Sequence, residues 1–201
     1  MKVKADHVMQ FKVTLKEIKP PIWRRIRVPS DYSFWDLHVA IQDAMGWLDY
    51  HLHEFRFSDP GMPNELRIGI PDPDFEDDVI PGWELPIAAV FTLANRKAGY
   101  EYDFGDGWEH TVMLEKILPR EKEMVLPACI AGRRACPPED CGGVWGYEKL
   151  LQIMCNPEDD RYEEMVAWLG EPFDPEAFYK DAVAFDDPRA RWRIAFTEGA
   201  E

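Results

Sequence analysis

The sequence predicts an α+β domain with a mainly antiparallel sheet that opens strand, strand, helix and has C-terminal helices packed on it. Three observations support this fold class. Apolar and polar residues alternate in several short early segments, as in half-buried strands. An Asp-Gly pair separates two alternating segments near the middle of the chain, which is typical of a hairpin. Apolar residues recur at helical spacing towards the C-terminus.

The first three elements are predicted from alternation and capping signals. Residues 9–18 and 22–28 alternate on either side of a proline pair, and we interpret them as two strands. Ser33 is followed three positions later by Asp36, which resembles the capping box of a helix N-terminus. Gly46 is a stop signal for the helix that follows this box.

The next segment combines a strand with an acidic stretch. Residues 51–57 alternate as a third strand, and the proline-rich residues 58–86 are interpreted as a surface loop. The run DPDFEDD in this loop lacks the glycine and the glutamate that an EF-hand calcium loop needs at fixed positions. We therefore expect an acidic surface loop rather than an EF-hand.

The segment YEYDFGDGWEHTVML predicts a hairpin. A three-residue loop, 105–107, is favoured because it separates an apolar face from a polar one. This register places Asp103 opposite Glu109, with Glu101 on the same acidic face. Like charges directly opposite each other destabilise a sheet, so we expect a cation there. An arginine, a lysine or a metal ion would each serve.

The last part of the chain is predicted to add a strand and further helices. Residues 124–130 predict the strand, and residues 147–154 carry an apolar helical stripe. Another helix is predicted to begin at Asp160 and to stop at Gly170. The Asp-Pro pair at 174–175 resembles the start of one more helix. No linker or internal repeat divides the sequence, so we expect a single domain over the whole chain.

Charge and apolar content restrict the class of protein. The chain has 201 residues, enough for one well-packed core, with 23 basic and 38 acidic residues and a net charge of −15. Such a surface repels phosphate backbones, which argues against direct nucleic-acid binding unless basic residues cluster. The basic clusters in the sequence are short, at 23–27, 133–134 and 189–193. No apolar run suits a signal peptide or a membrane span, so we expect a cytoplasmic protein without membrane association.

Three histidines are candidate metal ligands. His51 and His53 are two positions apart on a predicted strand, so their side chains are expected on the same face. His110 is the candidate third ligand, with Asp103 or Glu109 as alternatives. The competing interpretation is that these histidines line a core edge or bond to the backbone.

Three cysteines form a second candidate metal set. The spacing of Cys136 and Cys141 lies at the outer end of what structural zinc sites use, and Cys129 is close enough in sequence to join them. A fourth ligand would come from His110, from His53 or from a carboxylate. Zinc is therefore the one cofactor that the sequence suggests.

The alternative for these cysteines is packed, reduced thiols, and a redox pair is a further alternative. The run CPPEDCGG is explained without chemistry if its prolines stiffen a turn and Glu139-Asp140 cap a helix that starts near Val144. The glycine pair 142–143 then allows a tight turn into that helix. Cys155 lies beside Met154 on the apolar stripe, and we expect it in the core.

Catalytic motifs are missing from the sequence. It contains no G-x-S-x-G nucleophile elbow, no Walker-type loop, no G-x-G-x-x-G and no His-Glu-x-x-His. The DFG string lacks the glycine-rich and catalytic loops of a kinase. The sequence therefore predicts no particular enzymatic activity.

Four motifs in the order PPIWRR, HLHEF, YDFGDGWEH and CPPEDCGG resemble the plasmid pRiA4b ORF-three-like family. The resemblance covers about residues 8–185, within a single domain over 1–201, and implies an α+β fold. The family supplies no catalytic residue. Some members are labelled as transposon-borne resolvases, which a chain of net charge −15 does not resemble. The motif residues singled out for a role are Trp23, Arg24, Asp106, Trp108, Glu139 and Asp140.

The leading functional expectation is a binding or adaptor module whose aromatic and acidic surface engages a protein or a small ligand. One alternative is a zinc metalloprotein, either structural or hydrolytic. Another is an accessory factor in mobile-element DNA transactions, which only the family labels suggest.

Overall fold

One eight-stranded sheet organises the chain. The structure is a computed structural model, and it describes residues 6–58, 65–71, 78–170 and 173–197. The strands are β1 (His7–Leu15), β2 (Trp23–Pro29), β3 (His53–Phe57), β4 (Leu66–Gly69), β5 (Val79–Pro81), β6 (Lys97–Tyr102), β7 (Trp108–Pro119) and β8 (Ala128–Arg133).

The strand order is β5-β4-β3-β6-β7-β1-β2-β8. Only the short β4–β5 pair is parallel among the described pairings, and the remaining neighbours are antiparallel. The helices are α1 (Phe34–Met45), α2 (Ile87–Val90), α3 (Gly143–Met154), α4 (Tyr162–Leu169) and α5 (Pro188–Phe196), with a 3-10 turn at Lys180–Ala182. The predicted α+β class is therefore confirmed.

The predicted capping box starts α1. The hydroxyl of Ser33 accepts from the backbone N–H of Asp36 at 3.1 Å, and the Asp36 carboxylate accepts from the N–H of Ser33 at 2.8 Å. Gly46 ends the helix in the left-handed region with φ 94°. Both boundary signals in the sequence are confirmed.

The core lies between α1 and one face of the sheet. Leu37 and Ile41 of α1 are fully buried in the same apolar cluster as Phe11, Ile26 and Phe55 of the strands. Fully burying one such side chain stabilises a fold by about 1.5–3 kcal/mol. Alternate residues of the same strands point to the opposite face, which we call the outer face.

The hairpin register differs from the prediction. Tyr102 pairs with Trp108, so the loop spans residues 103–107, and Glu101 rather than Asp103 lies opposite Glu109. The turn begins at Asp103 because this residue adopts the left-handed region, with φ 56°, and its carboxylate accepts from the N–H of Gly105 at 2.9 Å. The shift is two residues, so the predicted separation of faces survives.

Several boundaries elsewhere were also wrong. The predicted loop 58–86 contains β4 and β5, which are too short to show alternation, and most of its DPDFEDD run lies outside the described residues. The Asp-Pro pair at 174–175 starts a turn instead of a helix, since Asp174 accepts from the N–H of Glu176 two residues on. The Asp-Pro helix start occurs instead at Asp187, which caps α5. In the described part of the chain, no helix is both long and apolar enough to cross a membrane.

Candidate functional site

Three loops that carry the distinctive sequence motifs meet at one end of the sheet. Antiparallel pairing brings the start of β3, the end of β6 and the start of β7 to the same edge. Loops 46–52, 103–107 and 134–142 lie there, and we call this region the loop end. The N–H of Leu48 donates to Glu139 Oε1 at 2.7 Å, which joins the first loop to the third.

His51, Asp103 and Asp140 form a cluster at the loop end. His51 Nε2 lies 2.9 Å from Asp140 Oδ1 and 3.6 Å from Asp103 Oδ2. The Asp103 side chain is 9% exposed and that of Asp140 is 64% exposed. Within the described ranges, this is the one group of three or more His, Cys, Asp or Glu residues whose donor atoms all lie within 4.8 Å of one another.

The glycine pair 142–143 at the start of α3 is explained by close contact with the hairpin loop. A Cβ on Gly143 would lie 2.4 Å from the carbonyl oxygen of Asp106, and Gly143 has φ 67°. The N–H of Gly142 donates to the Asp106 carboxylate at 3.1 Å. Asp106 therefore fixes the hairpin loop against the start of α3, and only glycine fits at position 143.

Glu139 and Tyr102 join the loops of the loop end through hydrogen bonds. The Tyr102 hydroxyl donates to Glu139 Oε1 at 3.0 Å and accepts from the N–H of Tyr50 at 3.1 Å. Burial raises the pKa of Glu139, and burial followed by the Glu139 charge raises the pKa of Tyr102. Tyr102 therefore stays protonated and keeps its bond to Glu139 at neutral pH.

Large hydrophobic side chains are exposed on these loops and at the start of α3. Trp145 is 83% exposed and Tyr50 is 72% exposed, although exposure of an aromatic side chain to water is unfavourable. Five carboxylates belong to the same region, those of Asp49, Asp103, Asp106, Glu139 and Asp140. The exposed set at the loop end is Leu48, Tyr50, Leu52, Phe104 and Trp145.

The other two predicted histidine ligands lie in the core. His53 stacks on His38 with ring centroids 3.4 Å apart, and neither of its ring nitrogens has a hydrogen-bond partner among the described residues. Burial, and secondly the neighbouring His38, lower the pKa of His53 well below 6.5. His110 is fully buried, and burial lowers its pKa to about 4. Because β3 begins at His53, the alternation does not extend to His51, and the predicted three-histidine set is not assembled.

A buried polar network around His38 was missed in the sequence. His38 contacts the Tyr100 hydroxyl through Nδ1 at 2.8 Å and Asp49 through Nε2 at 2.7 Å. Arg191 of α5 then contacts Asp49 at 3.2 Å and Asp43 at 2.7 Å. The available signal was a histidine on the apolar stripe of α1, whereas nothing in the sequence relates Arg191 to residues about 140 positions away.

The candidate zinc cysteines are partly buried against the core and do not form a metal-ligand group in the described structure. Burial raises the pKa of Cys129 and of Cys136, and it raises the pKa of Cys141 to about 12. All three are therefore protonated thiols at neutral pH. Cys155 is exposed rather than buried, because it caps the end of α3 outside the buried stripe.

The acidic hairpin face has the cations that the sequence led us to expect. Lys16 Nζ lies 2.7 Å from Glu109 Oε2, and Arg56 lies 2.7 Å from Glu101 Oε2. The hydrogen bond from Lys16 lowers the pKa of Glu109. Basic side chains thus occupy the place beside these carboxylates. Asp103, the third member of the predicted face, belongs to the loop end instead.

Three motif residues serve the fold instead of the loop end. Arg24 is buried and donates to the carbonyl of Ala44 at the end of α1 at 2.7 Å, and to that of Arg133 at 3.1 Å. Trp108 is fully buried in the core, while Trp23 lies on the outer face between Lys12 and Arg25. Asp106, Glu139 and Asp140 are the motif residues found at the loop end.

Comparison with known proteins supports the fold and its family. The family described as plasmid pRiA4b ORF-3-like protein matches residues 7–182. The uncharacterized protein y4hQ of Sinorhizobium fredii (strain NBRC 101917 / NGR234) is 37% identical over 192 residues, which are 92% of this chain and 94% of that protein. The crystal structure of a protein of unknown function, MM3350 from Methanosarcina mazei Go1, aligns with a TM-score of 0.82 and 47% identity, covering 89% of this chain and 98% of that one.

Proposed function

Because this chain belongs to the plasmid pRiA4b ORF-3-like protein family, and the names of these two relatives assign them no activity, we propose a function from the loop end alone. We propose that the loop end is a docking surface for a basic segment of a partner protein that also carries apolar side chains. The observation that supports this most directly is the group of exposed large hydrophobic side chains on loops held together by hydrogen bonds.

The apolar part of the proposal follows from the exposed side chains. Exposed Trp and Phe side chains such as Trp145 and Phe104 are the residue types that anchor protein interfaces when a partner buries them. The exposed set comes from two separate loops and the start of α3. Such a spread suits the surface of a partner better than a small molecule, which needs an enclosing cavity.

The basic part of the proposal follows from charge. Asp140 is 64% exposed at this site, and the chain carries a net charge of −15. A partner segment with Lys or Arg side chains is therefore attracted, and an acidic segment is repelled. Hydrogen bonds fix the loops before binding, which reduces the entropy cost of association.

A peptide-display selection tests this proposal with the full chain as bait. We expect it to enrich peptides that combine Lys or Arg with aromatic or aliphatic residues. Trp145→Ala should weaken binding of the selected peptides about 30-fold, which is the loss expected for an interface side chain that contributes about 2 kcal/mol. Tyr179→Ala is the matched control, since Tyr179 is 74% exposed outside the loop end. Enrichment of acidic peptides, or an equal effect of both substitutions, would contradict the proposal.

A second candidate function is binding of a divalent metal by His51, Asp103 and Asp140. One imidazole and two carboxylates are a donor set that Zn²⁺ takes, and these donor atoms already lie within 4.8 Å of one another. Elemental analysis after dialysis against Zn²⁺ tests this idea. We expect about one zinc per chain, lost in His51→Ala and retained in His7→Ala, a control at an exposed histidine. Equal zinc content in both variants would exclude this site.

A further inference from the structure

The outer face of the sheet is unusually basic along β1 and β2. Lys12 pairs with Arg25 across these strands, and Gln10 pairs with Arg27. Paired residues share a face, and the neighbours Phe11 and Ile26 of these residues are buried in the core. Lys12, Arg25 and Arg27 therefore point away from the core.

A shallow basin of about 570 Å³ lies on this face. It is lined by four basic side chains, Arg25, Arg27, Arg96 and Lys116, against a single carboxylate, Glu115. We call these four residues together with Lys12 the basic half-face. Elsewhere on the outer face Lys16 pairs with Glu109 and Arg56 pairs with Glu101, so these charges balance, whereas the basic half-face has more cations than carboxylates.

Three cations of the basic half-face, Lys12, Arg25 and Arg27, are held in place by their neighbours. Lys12 Nζ and Arg25 Cζ lie 5.1 and 5.2 Å from the ring centroid of Trp23. Arg25 also binds Glu115 through two nitrogens at 2.7 and 2.8 Å. Arg27 Nε donates to Gln10 Oε1 at 3.0 Å, and Gln10 in turn donates to Glu115 at 2.8 Å. This network orders the side chains before any ligand arrives.

We propose that the basic half-face binds single-stranded nucleic acid through its phosphates. Arg25 and Arg27 are two residues apart on a strand, so they repeat about every 6.8 Å. An extended nucleic-acid strand presents its phosphates with a similar repeat. The face is also open, and proteins bind single strands across open, positively charged surfaces.

The net charge of −15 does not cancel this local field. At physiological salt, charges more than about 8 Å apart are largely screened from each other, so the basic half-face acts on a phosphate mainly by itself. Repulsion between the remaining acidic residues and the phosphates limits the affinity for nucleic acid. Binding is consequently weak, strongly salt-dependent and independent of base sequence, because phosphate contacts carry no sequence information.

Fluorescence anisotropy with labelled oligo(dT) and oligo(U) tests this inference on the full chain. With about four phosphates contacted, the slope of log K against log salt should be about −2.8. Lys12→Ala and Arg27→Ala should each weaken binding and reduce the slope by about 0.7. Lys149→Ala is the matched control, because it removes the same charge from an exposed position on α3.

Three results would overturn the inference. One is absence of binding at low ionic strength by wild-type protein that is folded by circular dichroism. Another is an equal loss of binding in Lys149→Ala and Arg27→Ala. The third is equal affinity for duplex DNA or polyglutamate, which would indicate a general polyanion surface. Because Trp145 lies elsewhere, Trp145→Ala should leave oligonucleotide binding unchanged.

Discussion

His38 and His53 stack inside the core with their ring planes 9° from parallel and their centroids 3.4 Å apart. His38 is anchored by Tyr100 and Asp49, whereas His53 relies on the stack itself. Burial, and secondly the neighbouring His38, disfavour protonation of His53 and lower its pKa well below 6.5. The pair therefore makes the fold sensitive to acid.

We expect stability to fall on acidification, with buried His110 a clear contributor. Its pKa is about 4 in the folded chain against 6.5 ordinarily, so the unfolded chain binds a proton that the folded chain does not. Stability from this group is complete above pH 6.5 and is lost between there and pH 4, at about 1.4 kcal/mol per pH unit. Urea unfolding at several pH values gives the unfolding free energy as a function of pH. Between pH 4 and 6.5, this plot should be less steep by that amount in His110→Gln. An unchanged slope, or the same reduction in His7→Gln, would contradict the assignment.

Substitution of Gly143 should disturb both the fold and the loop end. Gly143→Ala places a Cβ 2.4 Å from the Asp106 carbonyl and also forces alanine into a positive φ. Gly170→Ala has the positive φ but nothing within 4 Å of its Cβ, so it isolates the backbone cost of about 1 kcal/mol. Thermal unfolding should show Gly143→Ala destabilised by at least about 1 kcal/mol more than Gly170→Ala. Equal destabilisation of the two variants would mean that Asp106 moves away from the added Cβ without a measurable cost.

Loss of Arg24 should destabilise the whole domain. Its buried guanidinium satisfies the carbonyls of Ala44 and Arg133, so Arg24→Ala leaves both acceptors without this donor. Hydrogen bonds from a charged group contribute about 1.5–3 kcal/mol each, and we expect a loss of about 3 kcal/mol in the free energy of unfolding. Arg133→Ala removes an exposed side chain and should change it by less than about 0.5 kcal/mol. Similar values for the two variants would show that Arg24 is dispensable.

Removal of Arg191 should loosen α5. Arg191 holds this helix to Asp43 and Asp49, and burial raises the pKa of Asp43 even with Arg191 present. Arg191→Ala should therefore increase hydrogen exchange of the amides of α5 while β1 and β7 keep their protection. Arg193→Ala, at an exposed position on the same helix, is the control. Uniformly faster exchange across the sheet would indicate global destabilisation instead.

The sequence was sufficient to predict elements whose ends are determined by residues close together in the chain. Ser33, Asp36 and Gly46 fixed both ends of α1 because a capping box and a left-handed stop act within a few residues. The hairpin was located correctly, but its register depended on the conformation of Asp103 and its own carboxylate bond. Strands β4 and β5 were missed because three or four residues carry no periodicity.

The candidate site was only partly predictable, since its members meet through the tertiary fold. His51 was predicted as a metal ligand, Asp103 as a hairpin carboxylate and an alternative metal ligand, and Asp140 as a motif residue. Nothing local relates His51 to Asp140 across 89 positions. His53 begins β3 and is buried, and His110 is also buried, so neither belongs to this set. Alternation in the sequence does not show at which single residue a strand or a buried position begins.

The loop end consists of segments around residues 51, 103 and 140 that are joined only when the sheet has formed. A ligand that needs all three segments can bind the native chain but not the denatured one. By mass action, such a ligand at a hundred times its dissociation constant would add about 2.7 kcal/mol to native stability. A rise in melting temperature that is lost in Trp145→Ala would therefore identify ligands of the loop end before their chemistry is known.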